Sequence, residues 1–220
     1  MASRMPERKA MLGRKSAIPA LLPALAVIAV AGGAPPAWSA DPDWPCVQRL
    51  VPELSAATVW DGPDFVSFLK SWEDRPVIHR LVTQVASRRT DLEQAEKAIT
   101  AFADGLDADK DATLTATFAG IFSIINDDRS QLIAGIKRYA RNQQRLAARI
   151  RDARGEMEVL AAKSIPESDA RLQQLHEQLS WDTRIHRDRE KSLTAMCEQP
   201  VLLEQRLFVL TRAVRAAMTR

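Results

Sequence analysis

LTATFAGIFSIINDDRSQLIAGIKRYARNQQRLAARIRDARGEMEVL, residues 114–160, contains no proline and one recurring pattern. Leu114, Phe118, Ile121, Ile125, Asp128 and Leu132 stand three and four residues apart, and after one further step of four the series continues through Ile136, Tyr139, Gln143, Leu146, Ile150, Ala153, Met157 and Leu160. Alternating steps of three and four mark the seam of helices packed along their length. The step from Leu132 to Ile136 breaks the alternation as a stutter does, relaxing the supercoil locally. The spacing predicts a helix over 110–163, about 75 to 80 Å long if unbroken, with a kink at Gly135 as the alternative.

The flanking sequence repeats the pattern. Pro76 suits a first helical position and opens a stripe of Ile78, Leu81, Val85, Arg88, Leu92, Ala95, Ile99, Phe102 and Leu106, so a helix is expected over 76–105. Pro166 and Ser168 mark a turn, followed by Leu172, Leu175, Leu179, Asp182, His186, Arg189, Leu193 and Met196 in a helix over 168–197, and Pro200 opens a last helix over 200–219. Apolar alternation at period two, the mark of a strand, is almost absent. The fold class expected is all-α: an elongated antiparallel bundle of coiled-coil hairpins over 76–220, preceded by a short N-terminal arm or cap over 40–75 that carries Pro42, Pro45, Pro52 and Pro63.

A hairpin about residue 108 would set Ile99 beside Phe118, Leu92 beside Ile125 and Arg88 beside Asp128, joining opposite charges in the seam. Such a pair specifies register even where it adds little net stability. The same construction about residue 166 places Leu175 by Met157 and Arg189 by Gln143. It also delivers the arm midway along the rod, where Cys46 could reach Cys197.

Residues 1–39 read as a signal peptide: a basic start ending at Lys15, an apolar stretch from Ala17 to Ala31, and the small-residue tract AGGAPPAWSA. Cleavage fits after Ser39, or after Ala40; a retained N-terminal membrane anchor is the alternative, although the apolar stretch is shorter than the roughly 20 residues of a spanning helix. Cys46 and Cys197 are the two cysteines. In an oxidising compartment an even pair reads as a disulfide, two buried free thiols being the alternative. Arg4, Arg8, Lys9, Arg14 and Lys15 against Glu7 give residues 1–39 a charge of +4, which leaves −1 of the total of +3 on residues 40–220. The basicity belongs to the leader, so nucleic acid is not an expected partner.

Asp107, Asp109 and Asp111 imitate the first ligands of a calcium-binding helix–loop–helix. Ala112 and Phe118 stand where that loop needs its glycine and its bidentate glutamate, so a capped, solvated turn is the simpler reading. His79, His176 and His186 lack metal-ligand spacing, and no nucleotide loop or nucleophile motif is present; no metal, cofactor or catalytic residue is expected. Two features could hold a partner. Lys137, Arg141, Arg145 and Arg149 recur every four residues and could meet anionic headgroups or an acidic protein, or else pair with Asp182, Asp188 and Glu190 on the next helix. Trp44, Trp60 and Trp72 could stack on a glycan or peptide, or else fill the space between arm and bundle.

The tract WPCVQRLVPELSAATVWDGP, Trp44 to Pro63, resembles a pattern in uncharacterised exported helical proteins of proteobacteria. The resemblance implies export and supplies no activity. The expectation is an exported, periplasmic, non-enzymatic scaffold or adaptor that binds another envelope protein. The alternative is a peripheral binder of anionic membrane or cell-wall glycan through the basic stripe or the tryptophan arm.

Overall fold

The computed structural model describes residues 41–163 and 169–219, all within one compact unit. The expected leader and the turn at Pro166 and Ser168 lie outside the described residues. The protein is all-α. Four helices, α1 Pro76–Ala86, α2 Leu92–Asp104, α3 Lys110–Lys163 and α4 Asp169–Met218, follow an arm with two single 3-10 turns at Ala56–Thr58 and Val66–Phe68. Strands are absent among the described residues.

α3 and α4 pack antiparallel and form the frame. Over the first half of α3 and the last half of α4 they are joined by α1, which lies against α3, and by α2, which lies against α4 and α1. This four-helix head buries Val82, Ile99, Phe118, Ile121, Leu207 and Leu210 completely or nearly so. Trp60 of the arm stacks on Phe118 with ring centroids 4.0 Å apart, and Phe65 meets the same ring edge-on at 5.1 Å. Trp72 lies so close to α3 that a Cβ on Gly120 would come within 2.8 Å of its ring; only glycine admits that approach. Beyond the head, α3 and α4 continue as an antiparallel pair that no other helix among the described residues joins.

Three expectations about this frame are corrected. The helix expected over 76–105 is two helices, broken at 87–91. Thr90 Oγ1 donates to the Gln84 carbonyl at 2.7 Å, Ser87 Oγ accepts from the Arg89 amide, and Asp91 caps α2 by accepting the Glu93 amide at 2.8 Å. Ser, Thr and Asp side chains here offer the backbone partners that helical continuation would have supplied. The helices expected over 168–197 and 200–219 are one, with Pro200 inside α4. Proline lacks the N–H that Met196 would accept and normally disrupts a helix interior. Cys197, Pro200 and Leu203 are all buried, so tertiary packing holds the chain helical through the proline.

The third correction concerns register. Because the chain steps across at 87–91, α2 pairs with α4 rather than forming a hairpin with α3. Arg88 sits in the break, off any helix, and donates to Gln199 Oε1 at 3.1 Å. Asp128 is exposed, and the buried position one residue on is Arg129. The expected Arg88–Asp128 seam pair is therefore not formed. Three consecutive steps of four in α3, Ile121, Ile125, Arg129 and Ile133, carry a charged residue into the interior.

Candidate interaction surfaces

The arm is fastened along α3 by a series of polar contacts. Lys137 Nζ meets Asp41 at 2.8 Å and Arg141 meets Asp43 at 2.7 Å. Cys46 is bonded to Cys197, with Cα atoms 5.6 Å apart. Lower down α3, Arg129 donates to the Val51 and Pro52 carbonyls while its other nitrogens hold Glu204 at 2.6 and 2.7 Å, and Asn126 Oδ1 accepts the Leu54 amide at 3.0 Å. Arg215 meets Asp61 at 2.7 Å and lies over the Trp60 ring. The arm thus runs antiparallel to α3 from the level of Arg141 to that of Phe118, about 35 Å at 1.5 Å per residue. The disulfide closes at the level expected although the register argument that led to it fails; the arm itself, rather than an α2–α3 hairpin, brings Cys46 there.

These contacts decide what the sequence-derived binding residues can do. Trp60 and Trp72 are 8% and 3% exposed, so both fill the arm–bundle boundary; Trp72 stacks on His79 with centroids 5.7 Å apart. Trp44 is half-buried and donates its indole N–H to the Gln48 carbonyl at 2.7 Å, closing the turn that carries Cys46. A continuous tryptophan surface on the arm is not formed. Of the basic stripe, Lys137 and Arg141 take the arm's aspartates, and Arg149 forks onto Asp182 at 2.7 Å through Nε. Arg145 donates to Asn142 one turn back and has no ion-pair partner among the described residues. Asp188 turns instead to Lys191, and Glu190 lies 3.7 Å from His186.

Burial and charge shift several groups. The Lys137 ammonium lowers the Asp41 pKa, the Arg149 guanidinium lowers that of Asp182, and Arg171 lowers that of Glu156 at the far end of the hairpin. Arg206, 7% exposed, donates to the Val85 carbonyl at 2.6 and 3.0 Å and to Thr90 at 2.8 Å. Burial pushes its pKa down, and the Asp91 carboxylate opposes that shift. A cation on the last carbonyls of α1 complements the helix dipole and ties the α1–α2 break to α4. Sequence periodicity missed Arg129 and Arg206 because interior positions are expected to be apolar.

At the turn before α3, Asp109 takes a φ of 55°, which aspartate tolerates, and its carbonyl accepts the Thr113 amide. No group of three potential metal ligands occurs among the described residues.

On the distal hairpin, Asn142, Arg145 and Arg149 of α3 and Ile185 and Arg189 of α4 line an open recess of about 470 Å³ floored by Leu146. Trp181, one turn before Ile185, is 65% exposed. Neither Arg145 nor Arg189 has an acidic partner among the described residues. Trp181 stood in the sequence without a role because it lies off the α3-facing seam. Its signal is another series: Trp181, Ile185, Ser192, Gln199 and Arg206, spaced four, seven, seven and seven.

No protein-family model, curated protein or solved structure matches this chain.

Proposed function

We propose that this protein is an exported, non-enzymatic scaffold or adaptor of the cell envelope, whose head anchors a projecting helical hairpin that engages another protein. The observation that carries this reading is where the cover stops. The arm and the α1–α2 pair enclose α3 and α4 in the head, and the two long helices continue past them as a hairpin with its own exposed tryptophan. A two-helix rod beyond a closed core adds little to the core's stability, so partner contact is the simplest use for it. The basic start and apolar stretch of residues 1–39 and the Cys46–Cys197 bond support export to an oxidising compartment.

Mass measurement of the exported chain, with and without reductant, tests processing: loss of residues 1–39 and a two-hydrogen difference are expected, and a full-length reduced product overturns the compartment. Crosslinking in the envelope followed by affinity recovery tests the adaptor role. A specific protein partner recovered by the intact chain and lost when 142–189 is shortened by matched heptads in α3 and α4 is the expected result.

A further inference from the structure

We infer that the hairpin face bearing Arg145, Arg149, Arg189, Ile185 and Trp181 docks an acidic amphipathic helix of the partner, laid on α3 and α4 as α1 and α2 are in the head. This rests on the adaptor reading and names the partner's chemistry.

Arg206 points at the α1–α2 pair, since it bonds Val85 and Thr90, and Gln199, two turns earlier, receives Arg88 from the same pair. Successive residues rotate by about 100°, so the seven-residue steps from Arg206 to Gln199 to Ser192 to Ile185 stay near one direction, and Trp181 lies 18 residues, or about five whole turns, from Gln199. The direction covered by α1 and α2 in the head is therefore the one that Ile185 and Trp181 face beyond it. Arg88–Gln199 is where the intramolecular cover ends. Past it, no described residue covers about 27 Å of the same packing face.

The composition of that face states what would cover it. Leu146 and Ile185 give an apolar floor, Trp181 and Ile185 stand 65% and 37% exposed, and guanidinium groups line the recess. Exposed tryptophan flanked by arginine is the composition of interface anchors. Residues 137–151 of α3 hold no acid, and Asp182 is already taken by Arg149. A second copy of this face brought up by two-fold symmetry would oppose arginine to arginine, and like charges directly opposed resist pairing. A helix of about 18 residues with one apolar stripe flanked by Glu or Asp supplies both the missing cover and the missing counter-charges.

The test uses the processed, disulfide-bonded chain. A photoreactive residue placed at Ile185, and at Ser180 as a comparison, is crosslinked in cells and the attached peptide sequenced. In parallel, a labelled 18-residue helix designed with leucine on one face and glutamate beside it, its lysine counterpart, and anionic vesicles are titrated, with affinity read from the anisotropy of the labelled helix or from vesicle sedimentation and the environment of Trp181 from the emission that Trp181→Ala removes. The expected result is a crosslink from Ile185 to an acidic helical segment, and binding of the glutamate helix with a blue shift of Trp181. Affinity should fall at least tenfold in Arg145→Glu/Arg189→Glu and in Trp181→Ala. All three side chains are exposed, and retained helicity by circular dichroism verifies the fold. A crosslink to a non-acidic or extended segment, to lipid or to the same chain overturns the inference and, in the first case, leaves the adaptor reading standing. Equal binding of both helices, vesicle binding unaffected by Arg145→Glu/Arg189→Glu, or glutamate-helix binding unaffected by them also overturns it. Absence of any protein crosslink along the hairpin overturns both.

Discussion

The head and the distal hairpin are built from the same two helices and differ in what surrounds them. In the head, Phe118, Ile121 and Ile125 are wholly buried; in the hairpin, the seam residues Leu146, Ile150 and Ala153 keep 5–7% exposure and much of the rest of the seam is only half-covered. The head binds its buried arginines, Arg129 and Arg206, to main-chain carbonyls and to Glu204. The hairpin relies on ion pairs at its edges, Arg149–Asp182 and Arg171–Glu156. One pattern of apolar residues thus yields a rigid base where four helices enclose it, and a thinner element with surface to spare where two do. Elements with few buried contacts open locally at lower free energy than the core.

The largest expected effect separates the two regions directly. Phe118→Ala removes a wholly buried ring stacked between Trp60 and the core and should cost about 4 kcal/mol, whereas Leu146→Ala at the thin seam should cost about 2 kcal/mol or less. Chemical denaturation measures both. Native-state hydrogen exchange should show amides of 142–160 exchanging before those of 114–133. Equal costs and equal protection would mean the hairpin is as well enclosed as the head.

Loss of the Cys46–Cys197 bond in the double serine variant comes next. A crosslink between residues 151 apart in sequence restricts the unfolded chain strongly, and removal should lower stability by about 3 kcal/mol. Since the bond sits where head and hairpin meet, released arm amides near Asp41 and Asp43 should lose protection first. A uniform loss across both regions would break the distinction drawn here.

A smaller effect is expected from Arg149→Ala, which leaves the covered Asp182 carboxylate without its partner. The hairpin is only two helices thick, so nearby water limits the cost to about 1 kcal/mol. Asp182→Asn should cost less, because the 58% exposed Arg149 side chain stays solvated. The smallest effect is acid sensitivity. Asp41, Asp182 and Glu156 all have pKa values lowered by a basic partner in the folded chain. Their contribution is present above the unfolded carboxylate pKa and is lost as pH falls through the folded one. Titration below pH of about 4 should therefore loosen the hairpin and the arm's attachment before the head, a difference visible as loss of protection in 142–189 while near-ultraviolet dichroism from Trp60 and Trp72 persists.

Residue periodicity alone was enough to specify that this chain is helical and that the second half of α3 pairs with the first half of α4; it left a kink at Gly135 open and assigned the first half of α3 to a hairpin with residues 76–105, where α4 in fact packs. Steps of three and four from Leu114 to Leu160 require a helical partner along that stripe without saying which helix supplies it. The arm was also legible from its prolines and the Cys46–Cys197 bond from an even pair of cysteines; the register used to place their meeting was not the one the fold adopts.

Tertiary structure decided the rest, because those outcomes depend on competition between distant parts of the chain. Ser87 to Asp91 is polar enough either to face solvent within a helix or to break it, and Arg206, 116 residues from Thr90, receives the freed carbonyls. Pro200 ends a helix in isolation and is carried through one when Cys197 and Leu203 are anchored on either side. Whether a tryptophan is filler or anchor depends on what it packs against: Trp60 and Trp72, carried by the arm, are pressed onto Phe118 and Gly120 of α3, and Trp181 lies beyond the last contact of α1 and α2. A seam series identifies which faces are apolar; only the packed molecule shows where their cover ends.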